Sequence, residues 1–220
     1  MLVLAVDTST PAVTAGLVRF HDGAAEVLAA RVVVDPRLHA EVLTPGILEC
    51  LAEVNLTPRD LDAVVVGVGP GPFTGLRVGM ATASAFGDAL GLPVHGVCSL
   101  DAIAAQLSDE PELLVVTDAR RREVYSARYS AGVRVSGPDV GAADSVDIGS
   151  ATAVAGSREH AALFELPLRE AISPTPDGLV LAAAHALGSG EAADALVPLY
   201  LRRPDAKTIA EREAAKQASR

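Results

Sequence analysis

The sequence lacks tryptophan and contains few aromatic residues, and this scarcity restricts what its core can be made of. Aromatic residues account for 3% of the 220 residues, whereas hydrophobic residues account for 50%. A core without large rings must be built from aliphatic and small side chains, which favours helices packed closely on a sheet. A chain this long and this hydrophobic is not disordered, and it can form one large domain or two small lobes.

Long apolar runs and paired cysteines are also missing. No run reaches the roughly 20 residues that a membrane-spanning helix needs. The opening residues MLVLAVDTST lack the basic region and the cleavage pattern of a signal peptide. The two cysteines, Cys50 and Cys98, lie far apart and indicate no disulfide framework. We therefore expect a cytoplasmic protein that does not bind membranes.

Positive charge is scarce and scattered. The chain has 18 Lys and Arg residues against 28 Asp and Glu residues, for a formal net charge of −10. Its lysines are Lys207 and Lys216, and its basic residues cluster only at residues 120–122 and 202–203. A protein that grips a phosphate backbone by itself usually presents a basic face. We therefore expect no tight independent binding of nucleic acid.

Hydrophobic patterns predict an α/β fold. Short apolar runs predict strands at residues 2–6, 12–20, 26–34, 61–68, 93–97, 113–118, 124–129 and 153–156. Apolar residues at helical spacing predict helices at Arg37–Val54, Thr74–Leu90, 99–107 and 179–187. Pro45 and Gly46 should kink or interrupt the first of these helices.

One structural unit is repeated along the chain. The first predicted strand ends in Asp7 and is followed by another strand, and a later strand that ends in Asp118 is followed in the same way. The two halves thus look like diverged copies of one unit. We predict an N-terminal α/β lobe at residues 1–100, a C-terminal α/β lobe at residues 101–204 and a helical tail at residues 205–220.

The glycine-rich segment at residues 67–79, GVGPGPFTGLRVG, is the densest motif. It predicts a strand-to-helix turn whose free amides could hold an anion, although a tight connection capped by Thr74 is the more frequent meaning of such spacing. A Walker A loop is excluded because no lysine precedes Lys207. A dinucleotide fingerprint is excluded because its third glycine would fall at Pro72 or Thr74.

A second turn follows the first strand, where nucleotide-binding members of the actin and sugar-kinase superfamily place a phosphate-facing turn. Composition alone favours an ordinary Asx turn here. The weak candidates for cofactor binding come from these two turns and are Asp7, Thr8, Ser9, Gly69, Gly71 and Thr74.

Motifs for hydrolysis or metal binding are missing from the sequence. It contains no Gly-x-Ser-x-Gly elbow, no His-x-x-x-His pair and no His-Glu-x-x-His motif, and its five histidines are isolated from one another. His95 and Cys98 are three residues apart but have no further candidate ligands near them. The sequence predicts no catalytic residue and no metal site.

Small residues form a ridge along the second predicted helix. Gly75, Gly79, Ala83 and Gly87 recur every fourth residue. Such a ridge lets another helix or a sheet approach unusually closely. Packing inside the protein and contact with a partner are equally consistent with it.

Four segments together resemble the TsaB family. They are Leu4-Ala5-Val6-Asp7-Thr8-Ser9, the segment from Gly69 to Gly79, His39-Ala40-Glu41 and Pro198-Leu199-Tyr200-Leu201-Arg202. The resemblance covers essentially the whole chain, strongly to about residue 107 and thinly from there to Leu196. Pro72 stands where the family more often has Ser.

This resemblance implies a two-lobed actin-like ATPase fold, a duplicated ribonuclease-H-like unit with mixed sheets and helices. It implies a non-catalytic subunit that pairs with the related catalytic subunit, TsaD, which transfers a threonylcarbamoyl group to the adenosine beside the anticodon of tRNA. A TsaE-like ATPase is the further implied partner, the isolated chain is expected to form a homodimer, and tRNA is not bound independently. No cofactor is expected for the chain by itself. A nucleotide could bind only at the interface of the complex.

The resemblance also bears on metal binding and on the partner surface. The two metal-binding histidines of the catalytic relative correspond to Gly96 and Leu100 in this chain, so no metal site is implied. We predict that the two helices at Arg37–Val54 and Thr74–Leu90 form the main interface, with exposed apolar groups off the stripes that cover the sheet. The predicted interface residues are Leu38, Val42, Leu76, Gly79, Met80 and Ala83.

Two rival functions remain open from the sequence. A small actin-fold ATPase or kinase would need carboxylates from both lobes, and Asp7 and Asp118 are the well-placed candidates. A metallopeptidase is the other rival, and the missing ligand pair disfavours it.

Overall fold

The first β-sheet has β1 (Leu2–Asp7) at its centre. The computed structural model describes residues 1–35, 38–189 and 193–202. The other strands of this sheet are β2 (Ala12–His21), β3 (Ala24–Val34), β4 (Ala63–Gly67) and β5 (Val94–Val97), in the order β3-β2-β1-β4-β5. β2 pairs antiparallel with both β1 and β3, whereas β4 pairs parallel with β1 and β5 pairs parallel with β4. The run Val3–Val6 is fully buried because helices cover both faces of the sheet at this strand.

The second sheet repeats this arrangement. It contains β6 (Glu112–Asp118), β7 (Glu123–Ser130), β8 (Val133–Ala142) and β9 (Ala153–Gly156), in the order β8-β7-β6-β9. β6, β7 and β8 form an antiparallel meander, and β9 lies parallel to β6. The two sheets thus share a meander with a parallel strand beside its first strand, which agrees with the predicted repetition of one unit and with the two-lobed actin-like fold.

Six α-helices cover the sheets in the part of the chain that the structure describes. They are α1 (His39–Glu53), α2 (Phe73–Leu90), α3 (Ser99–Ala104), α4 (Arg158–Ala161), α5 (Pro176–Ala182) and α6 (Ala184–Ser189). α1 and α2 pack on one face of the first sheet, and α4 packs on the second sheet. Within the described ranges, no helix is both long and apolar enough to span a bilayer.

Two helices cross between the halves of the chain. α3, which follows the first sheet in sequence, packs on β6, β7 and β9 of the second sheet. α5, which follows the second sheet, packs on strands β1 to β4 of the first sheet and against α3. The predicted boundaries at residues 100 and 204 stay predictions, and the packing of α5 crosses the first of them.

The final described segment joins the two lobes, and we call residues 193–202 the interlobe segment. The Leu199 amide donates a 2.8 Å hydrogen bond to the Val68 carbonyl beside the first sheet. Three residues later, Arg202 donates a 2.6 Å hydrogen bond to the Ala119 carbonyl and pairs with Glu123 at 3.1 Å beside the second sheet. This segment therefore contacts both lobes, through a backbone hydrogen bond to the first and through the Arg202 side chain to the second.

Helix α1 departs from its predicted form. Pro45 does not interrupt it, since one helix runs from His39 to Glu53, and the predicted kink stays a prediction. Gly46 turns towards the sheet, where a β-carbon would lie 3.4 Å from the Arg31 β-carbon, so the glycine permits close packing. The predicted helix start at Arg37 and the predicted tail at residues 205–220 lie outside the described residues.

Candidate functional site

A cavity of about 440 Å³ opens where the chain leaves β1 and β6. Its wall contains Ser9 and Thr10 after β1, and Thr117 and Asp118 at the end of β6. Further hydroxyl groups, two guanidinium groups and several apolar side chains complete the wall. The residues that supply them include Thr74, Ser157, Ser173, Arg120, Arg158, Pro11, Val34, Val78 and Ile172. The carboxyl ends of strands are the usual place for ligands in sheets of this kind.

Two of the six cofactor candidates, Ser9 and Thr74, line this cavity. Asp7 instead is fully buried beneath its own turn. Its carboxylate accepts hydrogen bonds from the Ser9 amide at 2.8 Å, from the Ser9 hydroxyl at 2.7 Å and from the Ser99 hydroxyl at 2.6 Å. Burial raises the pKa of Asp7, and the hydrogen bonds from Ser99 and Ser9 oppose that rise. Asp7 therefore ties the β1 turn to α3 and does not face the cavity.

Thr8 is also bonded internally. Its hydroxyl donates to the Gly75 carbonyl at 2.7 Å and accepts from the Gly79 amide at 3.0 Å. A β-carbon at Gly79 would lie only 2.4 Å from the Thr8 hydroxyl oxygen. The small residues of α2 thus let the helix lie directly on the end of β1. The ridge of small residues therefore serves packing inside the protein.

This packing corrects part of the predicted partner surface. Leu76 and Ala83 are fully buried, and Gly79 faces Thr8 rather than solvent. The expectation that Leu76 is an exposed apolar group was wrong, because the ridge and Leu76 share the inward side of α2. Leu38, Val42 and Met80 are half-buried, and Val42 and Met80 also pack against the first core.

The glycine-rich turn is held by the same network. The Gly69 amide donates to the Ser99 hydroxyl at 3.3 Å, and the Ser99 amide donates to the Gly69 carbonyl at 2.7 Å. A β-carbon at Gly71 would lie 2.3 Å from the Ser9 carbonyl oxygen, so the two turns touch through their backbones. The predicted cap at Thr74 was wrong, since α2 starts at Phe73 and its N-cap residue is Pro72.

His39 lies on the cavity wall at the start of α1. Its Nε2 is 3.0 Å from the Thr10 carbonyl oxygen, so Nε2 carries the proton in this contact. The sequence marked His39 only as part of a family motif, and its contact with the β1 turn follows from the packing of α1 on the first sheet.

A second histidine joins two polar cavity residues that lie far apart in the sequence. The Ser157 hydroxyl oxygen is 2.9 Å from His160 Nδ1, and His160 Nε2 is 3.4 Å from Asp118 Oδ1. The Arg120 amide donates to the same Asp118 oxygen at 2.6 Å. Sequence analysis missed this group because Asp118 approaches the other two only through the parallel pairing of β6 and β9.

Two arginine side chains near Ser157, His160 and Asp118 are partly neutralised by neighbouring carboxylates. Arg120 Nε lies 3.7 Å from Asp118 Oδ2, and Arg158 pairs with Glu170. Among the residues that the structure describes, no three His, Cys, Asp or Glu side chains lie close enough to hold a metal ion.

Comparison with known proteins places the chain in a family. The family model described as TsaD, tRNA N6-adenosine threonylcarbamoyltransferase, matches residues 33–147. An uncharacterized protein of Mycobacterium tuberculosis (strain ATCC 25618 / H37Rv) is 62% identical over 208 residues, which cover 94% of this chain and 95% of that protein.

Two further relatives carry descriptive names. The tRNA threonylcarbamoyladenosine biosynthesis protein TsaB of Bacillus subtilis (strain 168) is 32% identical over 130 residues, and the match spans 59% of this chain but only 55% of that protein. A Pseudomonas aeruginosa crystal structure of an uncharacterized protein with similarity to peptidase YeaZ superposes with a TM-score of 0.76 at 30% identity, covering 91% of this chain and 99% of that one. The chain belongs to the TsaB family.

Proposed function

We propose that this chain is the non-catalytic partner subunit of a complex that transfers a threonylcarbamoyl group to the adenosine next to the anticodon of tRNA. Its partner is a TsaD-like catalytic subunit in a heterodimer, a TsaE-like ATPase joins them, and the complex acts in the cytoplasm. The observation that carries the proposal is the occupied β1 turn. Asp7 and Thr8 would face phosphate in an actin-like ATPase. Here their side chains instead make hydrogen bonds to Ser9, Ser99, Gly75 and Gly79.

This occupancy also supports a subunit that holds no nucleotide of its own. A phosphate at this turn would need the Asp7 or Thr8 side chain to leave buried hydrogen bonds, and each broken bond of this type costs about 1–3 kcal/mol. Asp7, the first-lobe carboxylate that an ATPase or kinase would use, is fully buried. We propose that nucleotide binds only where this chain meets its partners.

The outer faces of α1 and α2 are the proposed contact with the catalytic subunit. Leu48 on α1 has 51% of its side chain exposed, and Phe73 at the start of α2 has 46% exposed. Together with the half-buried Leu38, Val42 and Met80, they give this side of the first lobe an apolar character. Two helices that meet a like pair would form a four-helix contact, and without the partner a second copy of the chain would supply that pair.

Replacing Leu48 with glutamate should weaken binding to the TsaD-like subunit about 30-fold, which corresponds to about 2 kcal/mol. A charge placed at the centre of an apolar contact must be desolvated, whereas the exposed side chain leaves the fold of the free protein intact. The measurement is titration calorimetry with the purified catalytic subunit.

Leu163→Glu is the matched control, because Leu163 is 62% exposed in the second lobe, far along the chain from α1 and α2. This variant should bind as the unaltered chain does. If Leu163→Glu weakens binding and Leu48→Glu does not, the contact lies on the second lobe and the assignment to α1 and α2 is wrong.

The function itself is tested by reconstitution. Transfer of the threonylcarbamoyl group to tRNA by the TsaD-like subunit and the TsaE-like ATPase should require this chain, and the chain alone should neither modify tRNA nor hydrolyse ATP. Full transfer without it, or ATP turnover by the isolated chain, would contradict the proposed role.

A further inference from the structure

We infer that Ser157, His160 and Asp118 form a nucleophilic site that hydrolyses small acyl esters, an activity separate from the proposed role in tRNA modification. Ser157 Oγ forms a 2.9 Å hydrogen bond with His160 Nδ1, and His160 Nε2 lies 3.4 Å from Asp118 Oδ1, within ion-pair distance. A hydroxyl, an imidazole and a carboxylate in this order are the parts by which a serine becomes a nucleophile.

The carboxylate sets the direction of proton transfer. Asp118 is oriented by the 2.6 Å hydrogen bond from the Arg120 amide to Oδ1. A carboxylate can only accept, so it favours the tautomer with the proton on His160 Nε2. His160 Nδ1 then has a free lone pair that accepts the proton of the Ser157 hydroxyl, as a general base must.

The backbone places Ser157 at a sharp turn between a strand and a helix. β9 ends at Gly156 and α4 begins at Arg158, so Ser157 stands between the two. Gly156 has φ +105°, and a β-carbon there would lie 1.9 Å from the Val116 carbonyl oxygen, so glycine is required at this turn. Nucleophile elbows also place their serine between a strand and a helix, although the Ser157 backbone itself is unstrained, with φ −56° and ψ 117°.

The cavity gives the nucleophile a substrate site. Ser157 and Asp118 line the 440 Å³ space, as do the side chains of Arg120 and Arg158. Both residues line the same cavity as Ser157, and their positive charge would favour a carbonyl oxygen that becomes negative during the reaction. Apolar residues such as Val34 and Ile172 line the same cavity and suit a short acyl chain.

The reaction is a two-step hydrolysis. The Ser157 oxygen attacks the ester carbonyl carbon while His160 Nδ1 takes the hydroxyl proton, and the bond to the leaving alcohol breaks as His160 returns that proton to it. Water then attacks the acyl group on Ser157 and gives its proton to His160. The serine oxygen leaves with that proton and the carboxylic acid is released, so the protein is unchanged.

The test uses the full chain, a fluorophosphonate probe and 4-nitrophenyl butyrate. The probe should label Ser157 with one equivalent, located by peptide mass spectrometry, and Ser157→Ala should abolish both labelling and ester turnover. Ser145→Ala, which removes a serine hydroxyl that lies outside this cavity, should leave both unchanged. Labelling that is spread over several serines, or equal in Ser157→Ala, would overturn the inference.

Two further variants separate catalysis from structure. His160→Gln should lower kcat about 100-fold, since general-base catalysis typically contributes at least that much. Asp118→Asn should lower kcat much more than it changes KM, because Asp118 acts on the reaction through His160, and Asp118→Glu should restore part of the rate. Thermal melting checks that each variant is folded. Turnover that survives in a folded His160→Gln variant would show that the imidazole is not the base.

Discussion

Replacing Gly79 with alanine should lower the free energy of unfolding by about 3 kcal/mol, because the new methyl group has no room. A β-carbon at this position would lie 2.4 Å from the Thr8 hydroxyl oxygen. Either α2 moves away from β1 or Thr8 rotates and breaks its two hydrogen bonds to the helix. Alanine favours a helix by about 1 kcal/mol over glycine, which is too little to offset these losses.

The matched control is Gly188→Ala in α6, where a β-carbon would meet nothing within 4 Å. Only the helix preference acts there, so the control should be neutral or up to about 1 kcal/mol more stable. Urea unfolding of both variants gives the comparison. Equal stability of Gly79→Ala and Gly188→Ala would mean that α2 does not lie on the β1 turn at this distance.

Replacing Asp7 with alanine should cost still more, about 4 kcal/mol. The change leaves the Ser9 amide, the Ser9 hydroxyl and the Ser99 hydroxyl without the acceptor that they share. An unsatisfied buried donor costs about 1–3 kcal/mol, and three donors lose their partner at once. Because Ser99 begins α3, the loss also loosens the connection between the first sheet and the helix that covers the second.

Asp7→Asn separates the hydrogen bonds from the charge, and its effect should depend on pH. Burial raises the pKa of Asp7 in the folded protein, so the folded state holds the proton more tightly than the unfolded state does. The stability from this proton is present below the ordinary aspartate pKa of about 3.9 and is lost as pH rises through the folded pKa. Asparagine does not titrate, so Asp7→Asn should gain stability relative to aspartate as pH rises.

The measurement is the difference in melting temperature between Asp7→Asn and the unaltered chain, followed from pH 3 upwards. As pH rises, the melting temperature of Asp7→Asn should increase relative to that of the unaltered chain. The difference should become constant once Asp7 is ionised in both the folded and the unfolded state. A difference that moves the other way would mean that the Asp7 pKa is lowered on folding, as in an exposed carboxylate paired with a cation.

The sheets could be predicted from the sequence because their signal is local. The apolar run Val3–Val6 and the repeated pattern at Asp7 and Asp118 are each contained in a few residues, and their partner strands follow within a short turn. The direction in which the α2 ridge faces is not local. Gly79 faces the sheet because it packs against Thr8 at the end of β1. Thr8 lies 71 positions earlier in the sequence.

The candidate site shows the same limit. Thr74 and Ser9 were predicted as site candidates and do line the cavity, since a turn that follows a strand is recognisable in sequence. Ser157 and His160 were missed because three-residue spacing carries no metal or hydrolase motif, and Asp118 joins them only after β6 and β9 pair. Asp7 looked like a phosphate ligand because sequence alone does not tell a buried carboxylate from one that faces a cleft.

The exchange of α3 and α5 between the sheets has a consequence for the order in which the protein can form. One face of the first sheet, with Val3, Val18 and Val65, is covered by Leu179 and Leu187 near the other end of the chain. A nascent chain that has left the ribosome only as far as β5 still exposes this apolar face to solvent. The core on this face of the first sheet therefore cannot be completed until α5 and α6 have been synthesised.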